Sequence, residues 1–295
     1  KKKGCEAQIK AVLTMNLRCF LVVVVHLVVA ETQLVVNVKT QGGEVFKETI
    51  TANISDDSVM LEFPQNDGTY ITQLIDFKQE LQIFKVIVLG EEELGQSQFQ
   101  VMCFIMRFFK NNFISSDAMS KLRQKNPGTV RVPEEDRGTE EVELDVSVDV
   151  PRAGILSPHI PVLCNMAATS TYASDRDIKL WATQRRELDG DWSLVSDVTR
   201  HLPTRGVDWS LVSDVTRHLP TRGVARCGDS GRDLASACAC HYQVCIAWYP
   251  CGLKYCKGRD NSGKAVSYRC GIRTCRRCRN FSYFVPQRQL CLWDD

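Results

Sequence analysis

CACHYQVCIAWYPCGLKYC, residues 238–256, packs five of the chain's fourteen cysteines into one stretch. Three chemistries suit so dense a cluster: zinc ligands, a reactive thiol with a partner base, or one side of a disulfide framework. Ten of the fourteen cysteines lie between Cys227 and Cys291, which marks residues 225–295 as a Cys-rich module. Structural zinc favours paired C-x2-C knuckles with a second pair at a fixed distance. Here the spacings are Cys238-x-Cys240, Cys251-x4-Cys256 and Cys270-x4-Cys275, and only Cys275-x2-Cys278 has the short form. The choice between metal and disulfide then rests on the compartment.

The N-terminal segment points to that compartment. From Met15, the run MNLRCFLVVVVHLVVA has a basic Arg18, an apolar stretch from Cys19 to Val29 and a small residue at Ala30, the parts of a secretory signal. The apolar stretch is shorter than the roughly twenty residues that span a bilayer. Residues 15–30 are therefore expected to be a cleaved signal peptide, and residues 1–14 an extraneous or upstream segment. An uncleaved signal-anchor is the competing reading. Without Cys5 and Cys19 twelve cysteines remain, an even number. The sequons at Asn53 and Asn280 agree with a secreted, glycosylated, extracellular protein. In an oxidising compartment disulfides outweigh zinc, so Cys227, Cys238, Cys240, Cys251, Cys256, Cys270, Cys275 and Cys291 are expected to be bridged, with no metal and no cofactor.

Other chemistries find little support. CGDSG at 227–231 is similar to a serine-protease nucleophile loop, but Arg232 and Asp233 follow it and no histidine segment of the required kind lies upstream. A cysteine nucleophile would need a histidine base, and only His159, His201, His218 and His241 remain in the mature chain. No HExxH motif or Gly-rich phosphate loop is present. An enzyme is not expected. A net charge of +2 gives no reason to expect nucleic acid. Within residues 225–295, however, twelve Lys/Arg stand against five Asp/Glu, and Arg273, Arg276, Arg277 and Arg279 form a basic patch. Such a patch suits a sulfated glycan or an acidic protein surface, and a solvated basic face is the plainer alternative.

Apolar content of 44% in 295 residues allows two modest globular domains. Runs 34–38 and 45–50 flank Gly42–Gly43 as a hairpin, SVMLEF and TYITQLIDF flank a turn at Asp67–Gly68, and LQIFKVIVLG and QFQVMCFIMRFF read as further strands. Ser115 or Ser116 caps a predicted helix through residue 126, stopped by Pro127–Gly128. In EVELDVSVDV, Val142, Leu144, Val146, Val148 and Val150 alternate with polar residues, one strand with one buried face. Helical patterns follow at 159–173 and 177–188. The fold class is α+β over residues 31–185. Residues 191–207 and 208–224 are identical copies; Trp192, Val195, Val198 and Leu202 lie at helical spacing, and two perfect copies suggest a recent duplication or an error in the gene model, inside a 186–224 linker, rather than a repeat array.

CHYQVCIAWYPCGLKYC, YRCGIRTC and FVPQRQLCLWDD resemble the secreted Out at first family, and the resemblance extends back through KVIVLGEEELGQSQFQ and AMSKLRQKNP. It covers nearly all of residues 31–295. Cys245 and Cys278 are not among that family's usual cysteines; they could form an extra bridge with each other or be free. The resemblance implies an N-terminal domain similar to BRICHOS, a central sheet flanked by helices, with Asp76 in IDFKQELQIFK at the aspartate position. It likewise implies a bridge between Cys103 in VMCF and Cys164 in VLCN. The spacer from Asp76 to Cys103 is longer than usual for BRICHOS. By analogy of fold, the implied activity is chaperone-like binding of β-prone segments through an exposed sheet face. The rival reading is a ligand-, matrix- or glycan-binding protein that uses its basic C-terminal domain.

Overall fold

A computed structural model describes residues 32–65, 67–188, 216–219, 223–229 and 233–294. The signal segment, residues 1–14 and the first copy of the duplication lie outside them.

Alternation builds the first sheet. In β5 (Leu81–Leu89), Leu81 and Ile83 face one side, while Phe84, Val86 and Val88 face the other. β6 (Phe99–Arg107) does the same with Cys103 and Ile105 against Met102, Phe104 and Met106. β1 (Thr32–Lys39), β2 (Val45–Asn53), β3 (Ser58–Pro64), β4 (Tyr70–Asp76), β5 and β6 form an antiparallel meander. Gly43 (φ 90°) and Gly68 (φ 83°) supply the left-handed turn positions at the two glycine turns. The sheet reaches ten strands, in the order β11-β9-β10-β6-β5-β4-β3-β2-β1-β7. Its added members are β7 (Val130–Arg131), β9 (Val146–Val148), β10 (Thr171–Ala173) and β11 (Thr216–His218).

The second sheet holds three strands, β12-β13-β8. β12 (Cys238–Arg259, 22 residues) and β13 (Ala265–Val285, 21 residues) form one long hairpin, and β8 (Glu135–Leu144) runs parallel to β13. Pro250 interrupts β12 at an irregularity in its register, tolerable because β12 is an edge strand. This sheet lies over one face of the first: Phe281 stacks on Phe104 at 4.4 Å and tilts against Phe84 at 5.5 Å. Tyr283 meets Tyr172 at 4.7 Å. The two sheets thus share one core. A smaller core on the opposite face is closed by α2 (His159–Leu163) and by α3 (Asp175–Leu188), whose Ile178 and Trp181 are buried.

Four local expectations change. The helical pattern at 159–173 is an α-helix only over His159–Leu163 and ends as strand β10, paired with β6 and β9. EVELDVSVDV is not one strand: β8 belongs to the second sheet and β9 to the first, with Asp145 at the handover. Its carboxylate accepts the backbone N–H of Asp175 at the start of α3. The helix predicted to residue 126 stops early, as α1 (Ser116–Ser120), although Ser115 does cap it by accepting from Ala118 N–H. Beyond Met119 the segment is polar apart from Leu122, with little apolar face to bury. In the second copy of the duplication, Thr216–His218 is extended and pairs with β9, where the apolar spacing suggests helix. The molecule is mostly β, with a disulfide-rich C-terminal region.

Candidate interaction surface

Twelve cysteines form six bridges among the described residues: 103–164, 227–238, 240–291, 245–278, 251–275 and 256–270. Cys103 and Cys164, with Cα atoms 5.9 Å apart, tie β6 to the end of α2 on the face with the smaller core. Cys245 and Cys278 sit directly opposite each other in the hairpin register. Cys227, Cys240, Cys291 and Asp294 cluster at metal-ligand distances, but every thiol there is spent in a disulfide. Asp294 is also occupied: it pairs with Arg226 at 3.0 Å and accepts the backbone N–H of His241 at 2.9 Å. His241 therefore faces a carboxylate and bridged sulfurs, not a free thiol.

Asp76 ends β4 on the same sheet face as Cys103. It is 2% exposed. One carboxylate oxygen accepts the backbone N–H groups of Lys78 and Gln79, and the other accepts the Ser157 hydroxyl at 2.8 Å. The carboxylate shapes the β4–β5 turn and holds that turn to the segment leading into α2. His159 Nε2 is 3.9 Å away, close enough for charge but not for a hydrogen bond.

The basic patch does not form a free cationic face. Arg276 reaches Asp136 at 2.9 Å, Arg277 reaches Glu140 at 3.4 Å, and Arg273 lies 3.9 Å from Glu135. Arg279 is buried, with its guanidinium over the Phe84 ring and Nε 3.3 Å from Glu140, a contact too poorly aligned for a hydrogen bond. Burial pulls its pKa down to about 10 against the opposing effect of Glu140. The acids come from β8, whose pairing with β13 sets Asp136 opposite Arg276 and Glu140 opposite Arg279. Cation and acid are zipped together as neighbouring strands.

Family models for Out at first match residues 32–181 and, for its C-terminal part, residues 226–295. The Out at first protein of Drosophila virilis is 47% identical over 277 residues, covering 90% of this chain and 84% of its own length. That of Drosophila melanogaster is 46% identical over 277 residues, and this chain covers 90% of itself but only 52% of that relative. The chain belongs to the Out at first family. No solved structure matches it.

In this Out at first chain the two family segments meet around a residue that sequence reading passed over. Glu48 on β2 is 2% exposed, accepts the backbone N–H of Trp248, and leaves Oε2 without a partner. Burial pushes its pKa up to about 8. It lines an open cavity of about 440 Å³ between the β1–β2 hairpin and the base of β12, with Val38, Phe63, Ala247 and Arg276. The signal was present: Glu48 has the inward parity of Ile50 and Ala52 along β2. The two sequons also part company. Asn53 is exposed at the end of β2, beside the turn to β3, whereas Asn280 lies within β13, paired on both sides and donating to Glu141 at 2.9 Å. No helix among the described residues is long and apolar enough to cross a membrane. Six disulfides are consistent with an extracellular protein.

Proposed function

We propose that the protein is a secreted, non-enzymatic interaction protein whose BRICHOS-like N-terminal sheet binds β-prone segments of other proteins, and that they add at a sheet edge. The exposed sheet face expected from the resemblance is unavailable for this: the hairpin covers one side of the central strands and the helix layer the other. The observation that carries the reading is the outer edge of β1. Among the described residues only Asn37 and Val38 are paired there, with β7, which leaves Gln33 to Val36 without a strand on that side. An unpaired edge in an apolar run (Leu34, Val35, Val36) is a template for strand addition. Val35 is 41% exposed and faces away from the core, so a charge there would guard the edge without disturbing packing.

The test is fibril growth of an amyloidogenic peptide, followed by thioflavin fluorescence, with the full secreted chain added below stoichiometry. Wild type should lengthen the lag, and Val35→Lys should lose that effect while keeping its melting temperature. An unchanged lag with wild type, or equal suppression by Val35→Lys, overturns edge binding.

A further inference from the structure

The distal half of the hairpin has a different character from its base. From Lys254 through Arg259, and from Ala265 back to Gly271, no residue is buried, and only the two strands pair with each other. β8 joins β13 only from Cys275 onward. At about 3.4 Å per residue the exposed part of each strand projects roughly 20 Å. A free two-stranded hairpin is marginal in water, and here the Cys256–Cys270 bridge clamps it.

The side chains of this arm are sorted by face. Directly opposed residues share a face, so the register places Tyr255 with Arg269, Lys257 with Ser267, and Arg259 with Ala265 on one side. The disulfide, Val266 and Tyr268 occupy the other, where the Tyr268 ring rests against Gly258. Lys257, Arg259 and Arg269 thus form a row with steps of about 7 Å along the strands. Lys264 adds a further cation beside the tip. No acid pairs with these four cations among the described residues. The arm's one acid, Asp260, is taken up by Ser262 N–H, Ser262 Oγ and Lys264 N–H, hydrogen bonds that hold its pKa below the usual carboxylate range.

We infer that this arm is a binding site for a sulfated glycan, held by Lys257, Arg259 and Arg269 along one face of the stapled hairpin. The charges, left open where the base of the same hairpin neutralises its own, call for a polyanion. Their linear spacing on a flat face with a single aromatic, Tyr255, suits a linear polymer that presents anions in series. An acidic protein would need something to bury, and this face offers no groove. The site is independent of the β1 edge.

The experiment is chromatography of the intact secreted protein on immobilised heparin with a sodium chloride gradient. A Lys257→Gln/Arg259→Gln/Arg269→Gln variant is compared with a Lys39→Gln/Lys47→Gln/Lys125→Gln variant that removes the same charge from exposed sites elsewhere. Wild type and the control should elute together above physiological salt, and the arm variant should flow through, with unchanged circular dichroism for all three. Desulfated heparin should retain none of them. Equal shifts for the two variants would reduce the effect to net charge and overturn the site. So would a wild type that fails to bind heparin, or one that binds polyglutamate equally well.

Discussion

One hairpin holds two regimes. At its base, residues 238–250 and 275–285 bury Phe281, Tyr283, Tyr242 and Trp248, and each arginine there meets an acid of β8. In the arm, residues 254–271 bury nothing, and beyond Lys254, which meets Glu134, their cations are left open. The strands are continuous, but apolar and aromatic residues are concentrated in the base and Lys, Arg, Gly and Ser in the arm. Contact with a third strand follows the same division. Where β8 lies alongside, its acids cancel the charge and the sheet below takes the apolar face; where β8 ends, the same chain becomes a solvated ladder. A basic count over a module therefore says little until each cation has been checked for a neighbouring acid.

The comparison predicts its own largest effect at the base. Phe281→Ala removes a fully buried ring stacked on Phe104 and should cost about 3–5 kcal/mol in urea unfolding with disulfides intact. Tyr268→Ala, from a ring 53% exposed in the arm, should change stability by less than about 0.5 kcal/mol. Comparable losses would mean that the arm is docked on the body.

Next comes Glu48, a buried acid at the base with no counterpart in the arm. Its folded pKa of about 8 lies above the ordinary 4.5. Below pH 4.5 both folded and unfolded states hold the proton and nothing is lost. Between 4.5 and 8 the unfolded chain releases the proton and the folded one keeps it, so stability falls as pH rises. From pH 5 to pH 7.5 the loss should be roughly 3 kcal/mol. Glu48→Gln keeps an acceptor for Trp248 N–H and should flatten that slope. Urea midpoints across this pH range decide it, and a variant with the wild-type slope would clear Glu48 of the effect.

A smaller effect is expected at the charge zipper. Glu140 serves both Arg277 and Arg279, and Glu140→Gln leaves the buried Arg279 guanidinium with the Phe84 ring as its main partner. Because the Glu140 side chain is 41% exposed, solvent screens the pair and the cost should be about 1 kcal/mol. A loss several times larger, measured by thermal unfolding, would show that the β8 acids carry the second sheet.

Much of this was legible in the sequence, for local reasons. The Gly43 and Gly68 turns, the Ser115 cap and the meander strands follow from turn chemistry and period-two patterning, which act within a few residues. What escaped depends on partners far along the chain. The alternation Val142, Leu144, Val146, Val148 stays in phase across Asp145, so nothing in it marks the change of sheet. The basic patch and the acids at 134–141 are complementary blocks, but only the parallel pairing of β8 with β13 makes them neighbours. Glu48 was readable from parity alone, as a charge on the inward face of β2.

The smallest expected effect belongs to the clamp of the arm. Chain entropy assigns roughly 3 kcal/mol to a bridge closing a loop of this length, because cross-linking restricts the unfolded chain. That figure assumes the bridged segment is ordered by folding whether or not the bridge is present. The arm buries no side chain, and without its clamp it should fray in the native state nearly as much as in the unfolded one. The entropy released on removing the bridge then appears on both sides of the equilibrium and largely cancels. Cys256→Ser/Cys270→Ser should therefore move the global urea midpoint by less than about 1 kcal/mol, against about 2–5 kcal/mol for Cys240→Ser/Cys291→Ser at the buried base. Hydrogen exchange should place the change locally, with amides 254–259 and 265–270 losing protection while 238–246 keep theirs. If the double variant of the arm loses as much global stability as the one at the base, the arm folds with the body, and the two regimes collapse into one.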